Sequence, residues 1–273
     1  MTAIQTTCAY CGVGCGITAK VTGERSVEIA GDKEHPANDG ALCSKGTHLG
    51  ETVGLEGRLL RPMIGEEDVS WDRATTEVAQ RMKACIDQHG PDSVAFYVSG
   101  QLLTEDYYVA NKLMKGFVGS GNIDTNSRLC MASAVAAHNR AFGEDIVPCT
   151  YQDLDHADVI LLVGSNTAWC HPVIWQRTER ARERSGTKLV VIDPRRTETA
   201  ERADLHVPVA PDGDVALFDA LLATQDVDHA QIEASCEVPE GFWDRAPVDH
   251  GVDPEIFAAL AGMVAGSKRL ITL

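Results

Sequence analysis

Apolar and polar positions alternate with period two over residues 17–21 and again over residues 26–30, and Thr22-Gly23-Glu24-Arg25 between them supplies turn residues, so a β-hairpin is predicted there. From about Pro62 the pattern changes. Ala74, Val78, Met82 and Ile86 recur at every fourth position, which predicts a helix over residues 72–89 stopped by Gly90-Pro91. Residues 94–98 form an apolar run that reads as a buried strand; Thr104 is a candidate cap for a helix carrying Val109, Leu113 and Phe117. Residues 119–130 read as a polar loop and residues 131–142 as a short helix. Two further continuous apolar runs, residues 158–163 and 188–192, flank a helix predicted over residues 171–184. Strand, helix, strand with unbroken apolar strands is the signature of a parallel βαβ unit buried on both faces. Helices are predicted near residues 214–224 and 254–266, and residues 268–273 read as the start of a strand on which the chain stops, a hint of truncation.

The fold class expected is therefore α/β: a small β-rich N-terminal domain over residues 1–57, rich in Gly and Cys, followed by α/β domains with parallel βαβ units. Ligands in such sheets sit beyond the carboxyl ends of the strands, here Gly164–Cys170 and Asp193–Thr197.

Composition narrows the function. Of 273 residues, 44% are hydrophobic and 23% charged, as in a globular protein. The 24 basic and 40 acidic side chains leave a net charge of −16, of which residues 201–273 contribute 14 acidic and 4 basic groups. Neither a nucleic acid nor an anionic membrane is the expected partner, since both demand a cationic face. No run of about 20 apolar residues exists to span a bilayer. The stretch Met1-Thr2-Ala3-Ile4-Gln5 has neither a basic nor an apolar export region, so the expected location is cytoplasmic. In that reducing compartment nine cysteines point to metal binding or catalysis before disulfides.

Cys8, Cys11 and Cys15 form Cys-x2-Cys-x3-Cys, and Cys43 follows. Thiolates of this kind select zinc or iron–sulfur clusters. Structural zinc sites usually pair two Cys-x2-Cys knuckles, whereas three ligands within eight residues plus one distant ligand suit a [4Fe–4S] cubane; both remain open, with the cubane preferred. Lys45, two residues after Cys43, is either a solvated side chain or a charge between the cluster and a second redox centre. Cys130 lies between a polar loop and a helix, where a thiol ionises readily and can hold a metal, or it is a small buried hydrophobe. Cys85, on the amphipathic helix, is expected in the core, and Cys149 and Cys236 carry no role. Gly164-Ser165-Asn166 is not a G-x-G-x-x-G fingerprint, yet it can cradle a phosphate at a helix N-terminus, with His171 nearby. Asp193-Pro194-Arg195-Arg196-Thr197 offers a carboxylate for a base or ribose and cations for phosphate, or is a solvated loop.

Taken together, these motifs resemble the N-terminal part of a molybdenum enzyme of the dimethyl sulfoxide reductase superfamily, over about residues 5–225. The strings are Cys8-x2-Cys11-x3-Cys15…Cys43-Ser44-Lys45-Gly46, the stretch Phe96-Tyr97-Val98-Ser99-Gly100-Gln101 and its sequel to Tyr108, Asn126-Ser127-Arg128-Leu129-Cys130-Met131, Gly164-Ser165-Asn166-Thr167-Ala168-Trp169-Cys170-His171-Pro172, and Asp193 to Thr197. Within the superfamily the chain most resembles the cytoplasmic assimilatory nitrate reductases. The resemblance implies a [4Fe–4S] cluster on Cys8, Cys11, Cys15 and Cys43, and molybdenum held by two molybdopterin guanine dinucleotides with Cys130 as its protein ligand. Lys45 then aligns between cluster and pterin, and Met131 neighbours the metal ligand and lines the substrate funnel. Gln101, Asn126, Gly164, Ser165, Asn166, Cys170, His171, Asp193, Pro194, Arg195, Thr197, Gly213 and Asp214 align with segments that contact the cofactor. It divides the chain into a cluster domain (1–57), a first molybdopterin oxidoreductase segment (58–150) and an incomplete dinucleotide-binding domain (151–273).

The implied reaction reduces nitrate to nitrite, with electrons from ferredoxin, flavodoxin or an NAD(P)H-linked flavoprotein. A formate dehydrogenase of the same superfamily is the alternative enzyme, disfavoured because Met131 rather than His follows Cys130; an iron–sulfur electron carrier is the non-enzymatic alternative. Family members continue for several hundred residues into a C-terminal β-rich domain, so the resemblance also implies that a missing C-terminal portion or a second chain is needed for activity.

Overall fold

The computed structural model describes residues 3–235, 238, 240–243 and 250–273; Cys236 and part of the Met1–Gln5 stretch lie outside the described residues. The chain forms two compact units, one built from Met1–Gly54 together with Val147–Leu273, the other from Leu55–Ile146.

The first unit opens with an antiparallel sheet, β1 (Ala3–Thr7), β2 (Gly16–Gly23) and β3 (Ser26–Gly31), in the order β1-β2-β3. The predicted hairpin is β2–β3; β1 is an addition, its residues Ile4-Gln5-Thr6-Thr7 too polar to announce a strand. A loop then leads to Cys43 and the short helix α1 (Ser44–Thr47).

In the second unit the two-residue strands β4 (Met63–Ile64) and β5 (Glu67–Asp68) precede α2 (Trp71–His89), whose N-cap Ser70 accepts a hydrogen bond from the Arg73 N–H. Strand β6 (Phe96–Val98), helix α3 (Thr104–Asn111), a π-helical continuation over Lys112–Val118, strand β7 (Ile123–Thr125) and α4 (Ser127–Phe142) follow. Several expectations change here. Thr104 is the first helical residue rather than the cap, and the Asp106 carboxylate accepts the Leu103 N–H instead. The polar loop contains β7, which pairs in parallel with β6. Helix α4 begins at Ser127, so Cys130 lies inside its first turn, with a kink at Ala132. Tyr97 of β6 is exposed rather than buried. The apolar stripe of α2 is real but only partly covered: Ala74, Met82 and Ile86 are half-buried, Val78 is exposed, and with Leu113 and Phe117 they line an open groove of about 600 Å³. Cys85 is half-buried, its thiol directed at Ser93 Oγ, and not in a core.

The chain then returns to the first unit with α5 (Tyr151–Leu154), β8 (Val159–Val163), α6 (Thr167–Cys170), α7 (Pro172–Ser185), β9 (Lys188–Ile192), α8 (Glu198–Glu201) and β10 (Leu205–Val207). Helices α9 (Asp214–Ala223), α10 (His229–Ser235) and α11 (Pro254–Gly266) and strand β11 (Leu270–Thr272) complete it. These strands form one parallel sheet in the order β10-β9-β8-β11. The two central strands, β8 and β9, alternate their apolar side chains between two cores, as period two requires. Val159, Leu161, Val190 and Ile192 face Leu217 and Leu221 of α9 and Leu260 of α11. Ile160, Leu162, Leu189 and Val191 face Leu154, Trp175 and Ala200. Both faces being covered explains why these strands read as unbroken apolar runs. The order reverses between β8 and β11, so the carboxyl end of β8 is the switch point at which doubly wound sheets bind ligands. No helix among the described residues is long and apolar enough to cross a membrane.

Candidate metal centre and cofactor face

In the first unit Cys8, Cys11, Cys15 and Cys43 border one small cavity, closed by Val13, Leu42, Gly46, Pro172 and Val173. The Cys8 N–H donates to the Cys15 carbonyl at 2.8 Å and Gly14 N–H to the Cys11 carbonyl at 3.2 Å, which curls residues 8–15 so that three thiols face inward. Cys43 occupies the N-cap position of α1 without spending its side chain on a cap. Val13, Cys15 and Val173 form a buried apolar cluster around the site. Burial, reinforced by the charges of Cys11, Cys8 and Cys43, pushes the Cys15 thiol up to about 11. Four soft donors in an apolar cavity fit an iron–sulfur cluster.

Three side chains outside the cysteine motif brace this site, and none was found by reading the sequence. Tyr151 Oη donates to the Val13 carbonyl at 2.8 Å; burial, then the Cys15 and Cys11 charges, raise its ionisation above the usual tyrosine value. Asn38 is 1% exposed and bonds to Gly16 and Ala41. Arg177 of α7, 4% exposed, pairs with Asp155 and donates to the Pro36 carbonyl at 2.8 Å. Tyr151 and Arg177 lie well over a hundred residues from what they hold, beyond any local pattern; Asn38 had only its place in the loop before Cys43. Lys45 is exposed on α1.

At the carboxyl end of the parallel sheet, β8 runs into Gly164, in the left-handed region at φ +60°. Asn166 Oδ1 accepts from Thr199 Oγ1 at 2.7 Å, and that hydroxyl accepts the Ala168 N–H, so the loops after β8 and β9 are stitched together. Ser165 Oγ pairs with Thr167 Oγ1. The Asp193 carboxylate is buried and accepts the Arg195 N–H at 2.7 Å, closing the turn around Pro194, while Thr197 caps α8. Arg195 and Arg196 are exposed, as is Cys170; His171 is half-buried and precedes the Pro172 and Val173 that line the cysteine cavity. Gly213 caps α9 after β10, with Asp214 exposed in its first turn. A nested loop, a left-handed glycine and two exposed cations at the switch point fit a phosphate-bearing dinucleotide.

In the second unit the loops after β6 and β7 meet. Asn126 Oδ1 accepts the Gly100 N–H at 2.6 Å, and a Cβ at Gly100 would stand 2.4 Å from Ser127 Oγ, so a larger residue there would turn that hydroxyl aside. Gln101 follows Gly100 on the first loop, and Cys130 lies in the first turn of α4 with its N–H donating to the Asn126 carbonyl at 3.0 Å; Cys130 and Met131 are exposed.

Comparison with known proteins agrees with this architecture. Residues 1–54 match the molybdopterin oxidoreductase Fe4S4 domain and residues 58–230 match molybdopterin oxidoreductase. A nitrate reductase of Klebsiella oxytoca is 56% identical over 223 residues, 81% of this chain and 26% of the relative. A nitrate reductase of Shewanella frigidimarina is 50% identical over 249 residues, 87% of this chain and again 26% of the relative. The chain thus spans about a quarter of the length of these curated relatives. Among solved structures, acetylene hydratase from Pelobacter acetylenicus shares the fold at a TM-score of 0.76 and 24% identity, covering 98% of this chain and 39% of the other. With both domains matched and the relatives this similar, the chain belongs to the molybdopterin oxidoreductases of the dimethyl sulfoxide reductase superfamily, enzymes of the [4Fe–4S] cluster and the molybdopterin cofactor.

Proposed function

We propose that this chain is the cluster- and cofactor-binding portion of a nitrate reductase of the cytoplasmic, assimilatory kind. The observation that carries the reading is the cavity bordered by four thiols, packed through Pro172 and Val173 against the segment that leaves the carboxyl end of β8. The nitrate assignment leans on the relatives' identity of 56% and 50%.

Cys8, Cys11, Cys15 and Cys43 hold the [4Fe–4S] cluster and Cys130 the molybdenum. Gln101, Asn126, Gly164–Asn166, Asp193–Thr197 and Gly213–Asp214 hold molybdopterin guanine dinucleotide. When bound, molybdenum supplies oxygen-atom transfer: nitrate, two electrons and two protons become nitrite and water. The chain's own contribution is binding and orientation. The N–H groups of the Gly164 loop and the exposed Arg195 and Arg196 meet phosphate; Asp193 keeps its loop in shape; Val13, Leu42 and Val173 keep water from the cluster. Lys45 offers a positive charge next to Cys43, and Met131 lines the approach to Cys130. Electrons come from ferredoxin, flavodoxin or an NAD(P)H-linked flavoprotein.

The test is anaerobic reconstitution of the 273-residue chain, with and without the polypeptide that its relatives carry beyond the matched region. Iron and sulfide should reach about four each per chain, the content of one cubane. Molybdenum retention and viologen-driven nitrate reduction should appear only with the added polypeptide. One tightly held zinc without iron, or formate oxidation in place of nitrate reduction, would refute the reading.

A further inference from the structure

The first three cysteines sit within eight residues of one another, but Cys43 comes 27 residues beyond Cys15, past β2 and β3, at the end of the loop that follows Gly31. Something must fix that loop against the start of β2, directly after Cys15. The side chain in the position to do so is Asn38. Its Oδ1 accepts the Gly16 N–H at 2.8 Å, and its Nδ2 donates to the Gly16 carbonyl at 3.0 Å and to the Ala41 carbonyl at 2.8 Å. Gly16 follows Cys15 directly, and Ala41 lies two residues before Cys43. The carboxamide therefore pairs with Gly16 as a neighbouring strand would, and with its second proton ties the Cys43 arm to the same point. The approach is close: a Cβ on Gly16 would stand 2.3 Å from the His35 ring, so glycine is what lets the loop lie this near. From its other side the loop is held by Arg177, which donates to the Pro36 carbonyl at 2.8 Å and stands 3.6 Å from Asp39.

We propose that Asn38 is a positioning residue for the cluster: its carboxamide sets the separation of Cys15 from Cys43 and so keeps the fourth thiolate on its iron. The inference rests on the cluster reading above and extends it to a residue outside the ligand set. The chemistry requires a carboxamide. Asp is isosteric, but a carboxylate would set an anionic oxygen against the Gly16 and Ala41 carbonyls; Ala would take the partner from the Gly16 N–H and the Ala41 carbonyl, while the Gly16 carbonyl keeps the Asp32 N–H at 2.9 Å.

The experiment uses the full chain, reconstituted anaerobically, as wild type, Asn38→Asp, Asn38→Ala and Cys43→Ser. Chelator-driven bleaching of the cluster absorbance gives its retention, and electron paramagnetic resonance of the oxidised protein reports cubanes that have lost the iron at one corner. Wild type should hold four irons, and both Asn38 variants should bleach on the order of tenfold faster, as loss of one or two buried hydrogen bonds implies. They should also accumulate the three-iron signal of Cys43→Ser, a signature that general loss of stability would not produce. In the cluster-free chain, Cys43 alkylation should accelerate relative to Cys8 in the Asn38 variants alone. Wild-type bleaching with four irons in Asn38→Asp would overturn the proposal, as would loss of all iron from both variants with no three-iron species. Absence of iron from the wild type would instead overturn the cluster reading itself, and the clasp with it.

Discussion

Arg177→Ala tests how far one buried cation holds the first unit together. Its Nε donates to both Asp155 oxygens at 3.1 Å, its Nη2 bonds to the same carboxylate, and Nη1 donates to the Pro36 carbonyl. The Arg177 side chain is 5% exposed, Asp155 21% and Asp39 53%. Removing one partner of a buried pair costs about 3–5 kcal/mol, because the other is left charged and unpaired. Asp155 is a fifth open to water and keeps Arg184 at 3.8 Å, and Asp39 is too exposed to add much, so the lower end applies. A loss of ~3 kcal/mol multiplies the opening equilibrium on the order of a hundredfold. The amides of Val159–Val163 and Lys188–Ile192, central in the parallel sheet, exchange only when the unit opens. Hydrogen exchange of those two segments should therefore accelerate on the order of a hundredfold. Arg177→Lys should recover only part of this, since an ammonium cannot make the forked contact. Asp155→Ala/Arg177→Ala should cost less than the sum of the single changes, because no orphaned charge remains. Acceleration below about fivefold in Arg177→Ala would refute the reasoning.

Two further outcomes follow from ionisation. In the cluster-free chain the Cys15 thiol, pushed up to about 11 by burial and its three neighbours, stays protonated at pH 8. Its alkylation should trail that of exposed Cys170 by about a hundredfold and gain on it as pH rises towards 11, and equal rates at pH 8 would contradict the assignment. Asp158 accepts the Lys268 and Arg269 N–H groups and pairs with the Arg269 guanidinium, which holds its carboxyl below the usual range. Its hold on β11 is present above the ordinary carboxylate range and fades as pH falls through the lowered value, so protection of Leu270–Thr272 against exchange should drop on acidification, and Asp158→Ala should abolish that pH dependence by removing the protection already at neutral pH.

What could be read in advance was what local pattern encodes. The runs that became β8 and β9 are unbroken because helices cover both faces, and β3 alternates half-buried with exposed positions, whereas β2 grades from buried Gly16 and Ile17 to an exposed tip. Three-residue β7 and polar β1 carry too few apolar positions to stand out. The stripe on α2 shows the other limit: periodicity gives the direction of an apolar face but not what lies against it, and Val78 is 57% exposed. The cysteine motif was legible because its ligands are close in sequence. Tyr151, Asn38 and Arg177 were not, because a hydrogen bond to a backbone carbonyl asks nothing of the residue types around it.

The discontinuity of the first unit has a consequence for biosynthesis. Tyr151 reaches Val13 across 138 residues of sequence, and Arg177 reaches Pro36 across 141. At about 5–20 residues per second, the ribosome takes roughly 7–28 seconds between making the cysteine loops and making the side chains that close over them. During that interval the four thiols are attached to a short three-stranded sheet with one wall of their cavity, Pro172 and Val173, not yet translated. Cluster delivery thus has a natural window on the nascent chain, before α7 docks, and the same window is when these thiols are most open to oxidation.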